Sequence, residues 1–120
     1  MQRKFRLTRS EDFKRVRRSG KSYAHPLVVL IVLKREKSDH ADIRVGVAAG
    51  RSVGTAVIRN RAKRLLREAM RTIIPNIASN LDLILIARAG LAAASLADTR
   101  QALENLLQRA QIIKTPINES

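Results

Sequence analysis

The sequence predicts an α/β chain of the α+β kind, a two-layer sandwich with a central sheet of about four strands and three helices. The first observation behind this is the core material. Phe5, Phe13 and Tyr23 are the only aromatics in 120 residues that are 45% hydrophobic, so the interior must be built from Val, Ile, Leu and Ala, which suit a helix-covered sheet. The second is that β-branched apolar runs alternate with amphipathic stretches carrying their own start and stop signals. The third is the order strand, helix, strand in the second half, a βαβ unit. At this length the chain reads as one domain over residues 1–120, with 111–120 as a frayed tail.

Residues 1–7 are basic and expected to lie irregularly on the fold, anchored by Phe5 and Leu7. Thr8-Arg-Ser-Glu11 fits a capping box for a first helix that runs to about Arg18. Ser19-Gly20 should end it, with the glycine in the left-handed conformation. Phe13 and Val16 share one face of this helix, and Glu11-Asp12 suit its first turn. Ser22 to Lys34 is β-branched and apolar, and reads as a single strand. Lys34 to Asp42 is charged and reads as a hairpin loop. Ile43 to Ala49 follows as a second strand, with Ile43, Val45, Val47 and Ala49 inward, antiparallel to the first.

The segment from Ala56 to Ile73 is the strongest helical pattern in the chain. At about 100° per residue, Ile58, Ala62, Leu65, Leu66, Ala69 and Ile73 form one apolar sector. Asn60, Lys63, Arg64, Arg67 and Arg71 lie opposite, flanked by Arg59 and Arg61. Thr55 is the expected cap, and Pro75 ends the helix by lacking an amide and pushing Ile74 out of the α region. Arg64 and Glu68 stand at a favourable spacing, but one acid cannot neutralise the bases between Arg59 and Arg71. A basic helix can be a merely solvated face; here the crowding of like charge favours a polyanion as partner.

Pro75 to Asn80 is a loop, and Leu81 to Arg88 is a third strand whose near-continuous apolar run suits a central position. Gly90 opens a loop of small residues. Ser95-Leu-Ala-Asp98 then caps a last helix to about Ala110, with Leu96, Thr99, Leu103, Leu106, Leu107 and Ala110 as its apolar stripe.

With 24 Lys plus Arg against 10 acids, the net charge is +14, which makes nucleic acid the expected partner. Pro26 to Leu33, the longest apolar run, is far shorter than the ~20 residues of a membrane span. No signal segment opens the chain, so a soluble, cytoplasmic protein is expected. No cysteine is present. His25 and His40 are isolated, and the acid pairs Glu11-Asp12 and Asp39-Asp42 read as a helix start and a solvated turn rather than cation ligands. Gly50-Arg51-Ser52-Val53-Gly54 is too short for a P-loop, although its amides could meet a phosphate. The residues thus describe a binder with no catalytic constellation and no metal site of its own.

Gly54, Ala56-Val57, Arg59-Asn60-Arg61, Lys63-Arg64 and Arg67 stand at the spacing of the "RNR" signature of the bacterial ribonuclease P protein subunit, which the chain closely resembles. The likeness extends over nearly the whole chain, through Leu7 with Glu11-Asp12-Phe13 and Gly20, Arg44-Val45-Gly46, and Ile84 to Arg88. It implies a ribosomal-protein-like fold with a left-handed βαβ crossover, against the right-handed form found in about 98% of cases. It also implies a protein that assists a catalytic RNA, with bound magnesium, in cleaving the 5′ leader from precursor tRNA. The partners implied are that RNA subunit and precursor tRNA, with no obligate protein partner. Arg51, Arg59, Asn60, Arg61, Lys63, Arg64, Arg67 and Arg71 would meet the catalytic RNA, and Phe13, Arg17 and Ile31 the leader. The chain departs from the pattern in two ways: Ala49-Gly50-Arg51 stands where many relatives have Ser-Lys-Lys, and Arg17 and Ile31 stand where aromatics are common. The rival reading is a noncatalytic ribosomal or other nucleic-acid-binding protein using the same helix.

Overall fold

The computed structural model describes residues 5–35 and 43–113. Within them the order is α1 (Ser10–Ser19), β1 (Lys21–Ala24), β2 (Val28–Lys34), β3 (Ile43–Ala49), α2 (Ala56–Ile73), β4 (Leu81–Ala87) and α3 (Leu96–Arg109). The four strands form one mixed sheet in the order β1-β2-β4-β3. β4 is central, as its apolar run implies, and pairs antiparallel with β2 and parallel with β3.

Two expectations about the strands are overturned. The run from Ser22 to Lys34 is two strands, folded back at Pro26-Leu27, with Lys21 opposite Val32 and Ala24 opposite Val29. Proline cannot donate to a ladder, and the Leu27 amide instead donates to His25 Nδ1 at 3.1 Å. The Ile43–Ala49 strand does not pair with the first, because β4 lies between β3 and β2. The segment from Lys34 to Asp42 therefore does not close a hairpin; most of it, with His40, Asp39 and Asp42, lies outside the described residues.

Period-2 alternation divides the side chains between the two faces of the sheet. Val28, Leu30, Ile43, Val45, Leu81, Leu83 and Leu85 face α2 and α3, and with Leu66, Met70, Leu103, Leu106 and Leu107 they form the main core. The α3 stripe is thus spent on the core. On α2, Ala62, Leu66, Ala69 and Ile73 are buried as expected and Met70 joins them, but Ile58 remains 39% exposed. Among the described residues the other face carries α1 and a small cluster of Leu7, Val16, Ile31 and Ile84.

The helix ends repay comparison with their signals. Thr55 Oγ1 accepts from the Ile58 amide at 3.4 Å, and Ser95 Oγ accepts from Asp98 at 2.9 Å. The capping box at Thr8 does not form: Arg9 is the cap residue of α1, without a side-chain bond, and the helix starts one residue too late for Thr8 to reach it. Ile74 keeps α-type dihedrals (φ −47, ψ −44), because Pro75 sits in the first positions of a 3-10 turn over Ile74–Asn76, where a missing amide costs nothing. Residues 111–113 are not frayed: Gln111 turns the chain at φ 59, Ile112 is buried, and Ile113 bridges to Ile77. At the other end Leu7 is anchored as expected, its amide donating to Val45 O at 2.9 Å.

Gly20 ends α1 for a reason other than handedness. Its φ is −82, an ordinary value. A Cβ there would lie 2.6 Å from Val16 O, 2.7 Å from Ile31 Cγ2 and 2.9 Å from Val32 O. Two of these are backbone atoms that cannot swing aside, so Gly20→Ala should cost about 1–3 kcal/mol of stability, read as a lowered thermal midpoint. An unchanged midpoint would mean that α1 is not seated this tightly on β2.

Candidate nucleic-acid interface

α2 presents one cationic face to solvent. Asn60, Arg61, Arg64 and Arg71 are exposed on it, and Arg59, Lys63 and Arg67 are half-buried at its margins. The expected Arg64–Glu68 pairing is absent. Glu68 instead accepts from Arg71 Nη2 at 2.8 Å, which holds the Glu68 carboxyl below the usual range and the Arg71 guanidinium above it. Among the described residues Arg59, Arg61, Lys63, Arg64 and Arg67 then have no ion pair.

Arg6 was missing from the predicted interface. It bridges to Val45 beside α2, and Arg67 is lowered first by its burial and then by the charge of Arg6. This is a tertiary contact that no local pattern announces. Arg51 is exposed in a 3-10 turn, Arg51–Val53, just ahead of the helix. The Val53 and Gly54 amides close that turn on Gly50 O and Arg51 O, at 3.1 and 3.2 Å, so they are not available to a phosphate. Val57, 77% exposed, adds an apolar spot to the cationic face.

The second face is built in register rows, because α1 lies across the strands. The row Ile31, Ile84, Gly46 runs beneath the helix. Phe13 stands on Gly46, where a Cβ would lie 2.4 Å from Phe13 Cζ; only glycine leaves room for the ring. To one side the row Ala24, Val29, Ile86, Ala48 is less covered, with Val29, Ile86 and Ala48 half-buried. At 100° per residue Arg17 lies about 40° from Phe13 and some 200° from Arg15. Phe13 and exposed Arg17 therefore flank this open row, while Ile31 is 5% exposed and belongs to the small core under α1. Ile31 thus shares the sheet face with Phe13 but not its surface, where Val29 and Ile86 are half-buried instead.

On the other side of α1 is a charged row that was not predicted. Asp82, fully buried, stands near the start of β4, within its apolar run. Arg44 grips it with Nε and Nη2, both at 2.9 Å, Arg15 Nη2 donates at 2.8 Å, and Arg35 Nε lies 2.9 Å away. Asp12 accepts from the same Arg15 nitrogen at 3.0 Å and from Arg44 Nη1 at 3.5 Å.

A mixed sheet with one basic helical face and one half-open face defines a nucleic-acid-binding α+β protein. The ribonuclease P family model matches residues 1–111, and the chain belongs to that family. It is 43% identical to the ribonuclease P protein component of Herpetosiphon aurantiacus over 112 residues, covering 93% of this chain and 89% of that one. With the component of Listeria welshimeri it shares 32% over 120 residues, covering 100% and 99%. The RNase P protein of Staphylococcus aureus superposes with TM-score 0.78 at 28% identity, covering 91% of this chain and 97% of that one. That of Thermotoga maritima gives 0.74 at 30%, covering 87% and 96%. The two solved structures share the expected fold class.

Arg59, Arg61, Lys63, Arg64 and Arg67, which have no ion pair among the described residues, should make the fold responsive to anions. A ligand present at a hundredfold excess over Kd and binding only the native state adds about 2.7 kcal/mol. The thermal midpoint should accordingly be higher in sulfate than in chloride of matched ionic strength. Equal midpoints would remove specific anion stabilisation.

Proposed function

We propose that the chain serves as the protein subunit of a ribonuclease P particle, in which the RNA subunit performs the cleavage that removes the 5′ leader from precursor tRNA. The observation that carries this is the α2 face: Arg59, Asn60, Arg61, Lys63, Arg64 and Arg67 at the family's spacing, outward, with no ion pair among the described residues. That face, with Arg6, Arg51 and Arg71, would engage the phosphates of the RNA subunit. The open row beside Phe13 and Arg17 would receive the single-stranded leader, its bases against the ring and its phosphates near the guanidinium.

The described residues do not fit a magnesium site. No group of three His, Asp or Glu gathers, and the two carboxylates that approach one another, Asp12 and Asp82, are already held by arginines. The magnesium of the reaction belongs in this reading to the RNA subunit, as an electrostatic partner of the reacting phosphate. No helix among the described residues is long and apolar enough to cross a membrane.

The test is to isolate the protein from its own cells under low salt and sequence the RNA that travels with it. Recovery of one structured RNA together with precursor tRNAs is expected. Ribosomal RNA alone would favour the rival reading.

A further inference from the structure

Asp82 requires an explanation. A carboxylate placed near the start of a central strand, with no access to water, is costly unless paired, and it holds three guanidiniums from distant parts of the chain. Arg44 projects from the neighbouring strand directly opposite Asp82, and Arg35 follows the end of β2; these two belong to the sheet. Arg15 alone comes from α1. Its Nη2 lies between Asp82 Oδ2 at 2.8 Å and Asp12 Oδ1 at 3.0 Å, so it ties the helix to the sheet at one flank. The apolar seat of α1 is otherwise slight, a cluster of four buried residues with Phe13 at its margin.

We infer that Asp82 is a positioning residue for leader binding: through Arg15 it fixes the rotation of α1 about its own axis, and so keeps Phe13 on Gly46 and Arg17 over the open row on the opposite flank. The inference rests on the leader reading given above. Its geometry is that of a hinge pinned at one edge. With Arg15 and Arg17 some 200° apart on the helix, any roll that lifts Arg15 from Asp82 drives Arg17 and the Phe13 ring toward the row Val29, Ile86, Ala48 and narrows the groove. A charge-assisted contact suits this task, because Asp12 holds the same Arg15 nitrogen on the helix while Asp82 holds it to the sheet. Phe13 cannot hold the rotation by itself, being half-buried and seated on a glycine that offers no side chain to grip.

Replacing Asp82 would strand three guanidiniums and endanger the fold, so the informative variant is Arg15→Gln, which leaves Asp82 to Arg44 and Arg35. In the complex reconstituted with its RNA subunit, binding is measured for a precursor tRNA with a single-stranded 5′ extension and for the same tRNA without it. Stacking on one aromatic changes affinity by about 5- to 150-fold, so Arg15→Gln should weaken the extended RNA by about fivefold or more and the mature tRNA by less than about twofold. Arg15→Lys, which restores a charge between the two carboxylates, should recover part of the loss. Phe13→Ala and Arg15→Gln should be non-additive, since both remove the same stacking surface. Equal losses for the two RNAs, additivity, or wild-type affinity in folded Arg15→Gln would overturn the assignment. Should Arg15→Gln fail to fold, Asp12→Asn loosens the same nitrogen from the exposed side and is judged by the same outcomes. If Phe13→Ala does not discriminate the two RNAs, the leader reading falls and the clamp with it; if it discriminates and Arg15→Gln does not, the clamp alone falls.

Discussion

Changing Arg64 and Arg67 together to glutamate should abolish most of the affinity for RNA while leaving the fold intact. Both stand on the outer side of α2, one exposed and one half-buried, and neither has an ion pair among the described residues. Hydrogen bonds to charged groups contribute about 1.5–3 kcal/mol each, so losing two predicts roughly a hundredfold weaker binding or more. The salt dependence gives a second, independent reading. Each phosphate contact on a duplex contributes about 0.9 to the slope of log K against log salt, so the slope should fall by about 1.8. Stability should change little. A carboxylate at position 64 faces Glu68 one turn on, at a cost of about 0.2–0.5 kcal/mol, while removing the Arg67 charge relieves its repulsion with Arg6. A folded variant with the wild-type slope would make this helix face a solvated one.

That such a variant can be chosen from sequence reflects where the information lies. α2 announces itself locally: a threonine cap, a 3.6-residue period and a proline just beyond, and it spans Ala56–Ile73 as predicted. The sheet does not. Strand order is set by which apolar faces meet, and the runs in β2, β3 and β4 are too alike for pairing to be read from any one of them. The antiparallel pairing assigned to β3 was thus a guess from proximity in the chain, and β4 displaced it. The break at Pro26 was visible as a residue but masked by apolar character on both sides. Ile31, assigned to the leader by its family position, lies on the α1 face of the sheet but is buried there, because its exposure depends on where α1 rests, which only the tertiary structure decides. Asp82 was hidden most completely: it reads as one polar residue in an apolar strand, and two of its three partners, Arg44 and Arg15, lie 38 and 67 positions away along the chain.

The purified protein should have no nuclease activity alone, and specific cleavage in magnesium should appear on adding the RNA subunit. Water activation for phosphodiester cleavage needs a base or metal ligands in concert, and the described residues offer neither. His25 spends Nδ1 on the Leu27 amide, and Asp12 and Asp82 are engaged by arginines. The protein's share should lie in substrate affinity, and Phe13 is the residue to vary. Its ring lies half-buried over Gly46, beside the open row, so Phe13→Ala should weaken precursor binding by about 1–3 kcal/mol and leave mature tRNA binding nearly unchanged. Because the ring also packs against the small cluster under α1, truncation will lower stability, and the thermal midpoint has to be taken on the same sample. Saturating the complex with RNA subunit then separates the two effects: a stability loss is offset by binding, whereas a lost stacking surface is not. A folded Phe13→Ala protein that loses affinity equally for precursor and mature tRNA would place the leader elsewhere on the molecule, and cleavage by the protein without RNA would assign the chemistry to side chains outside the described residues.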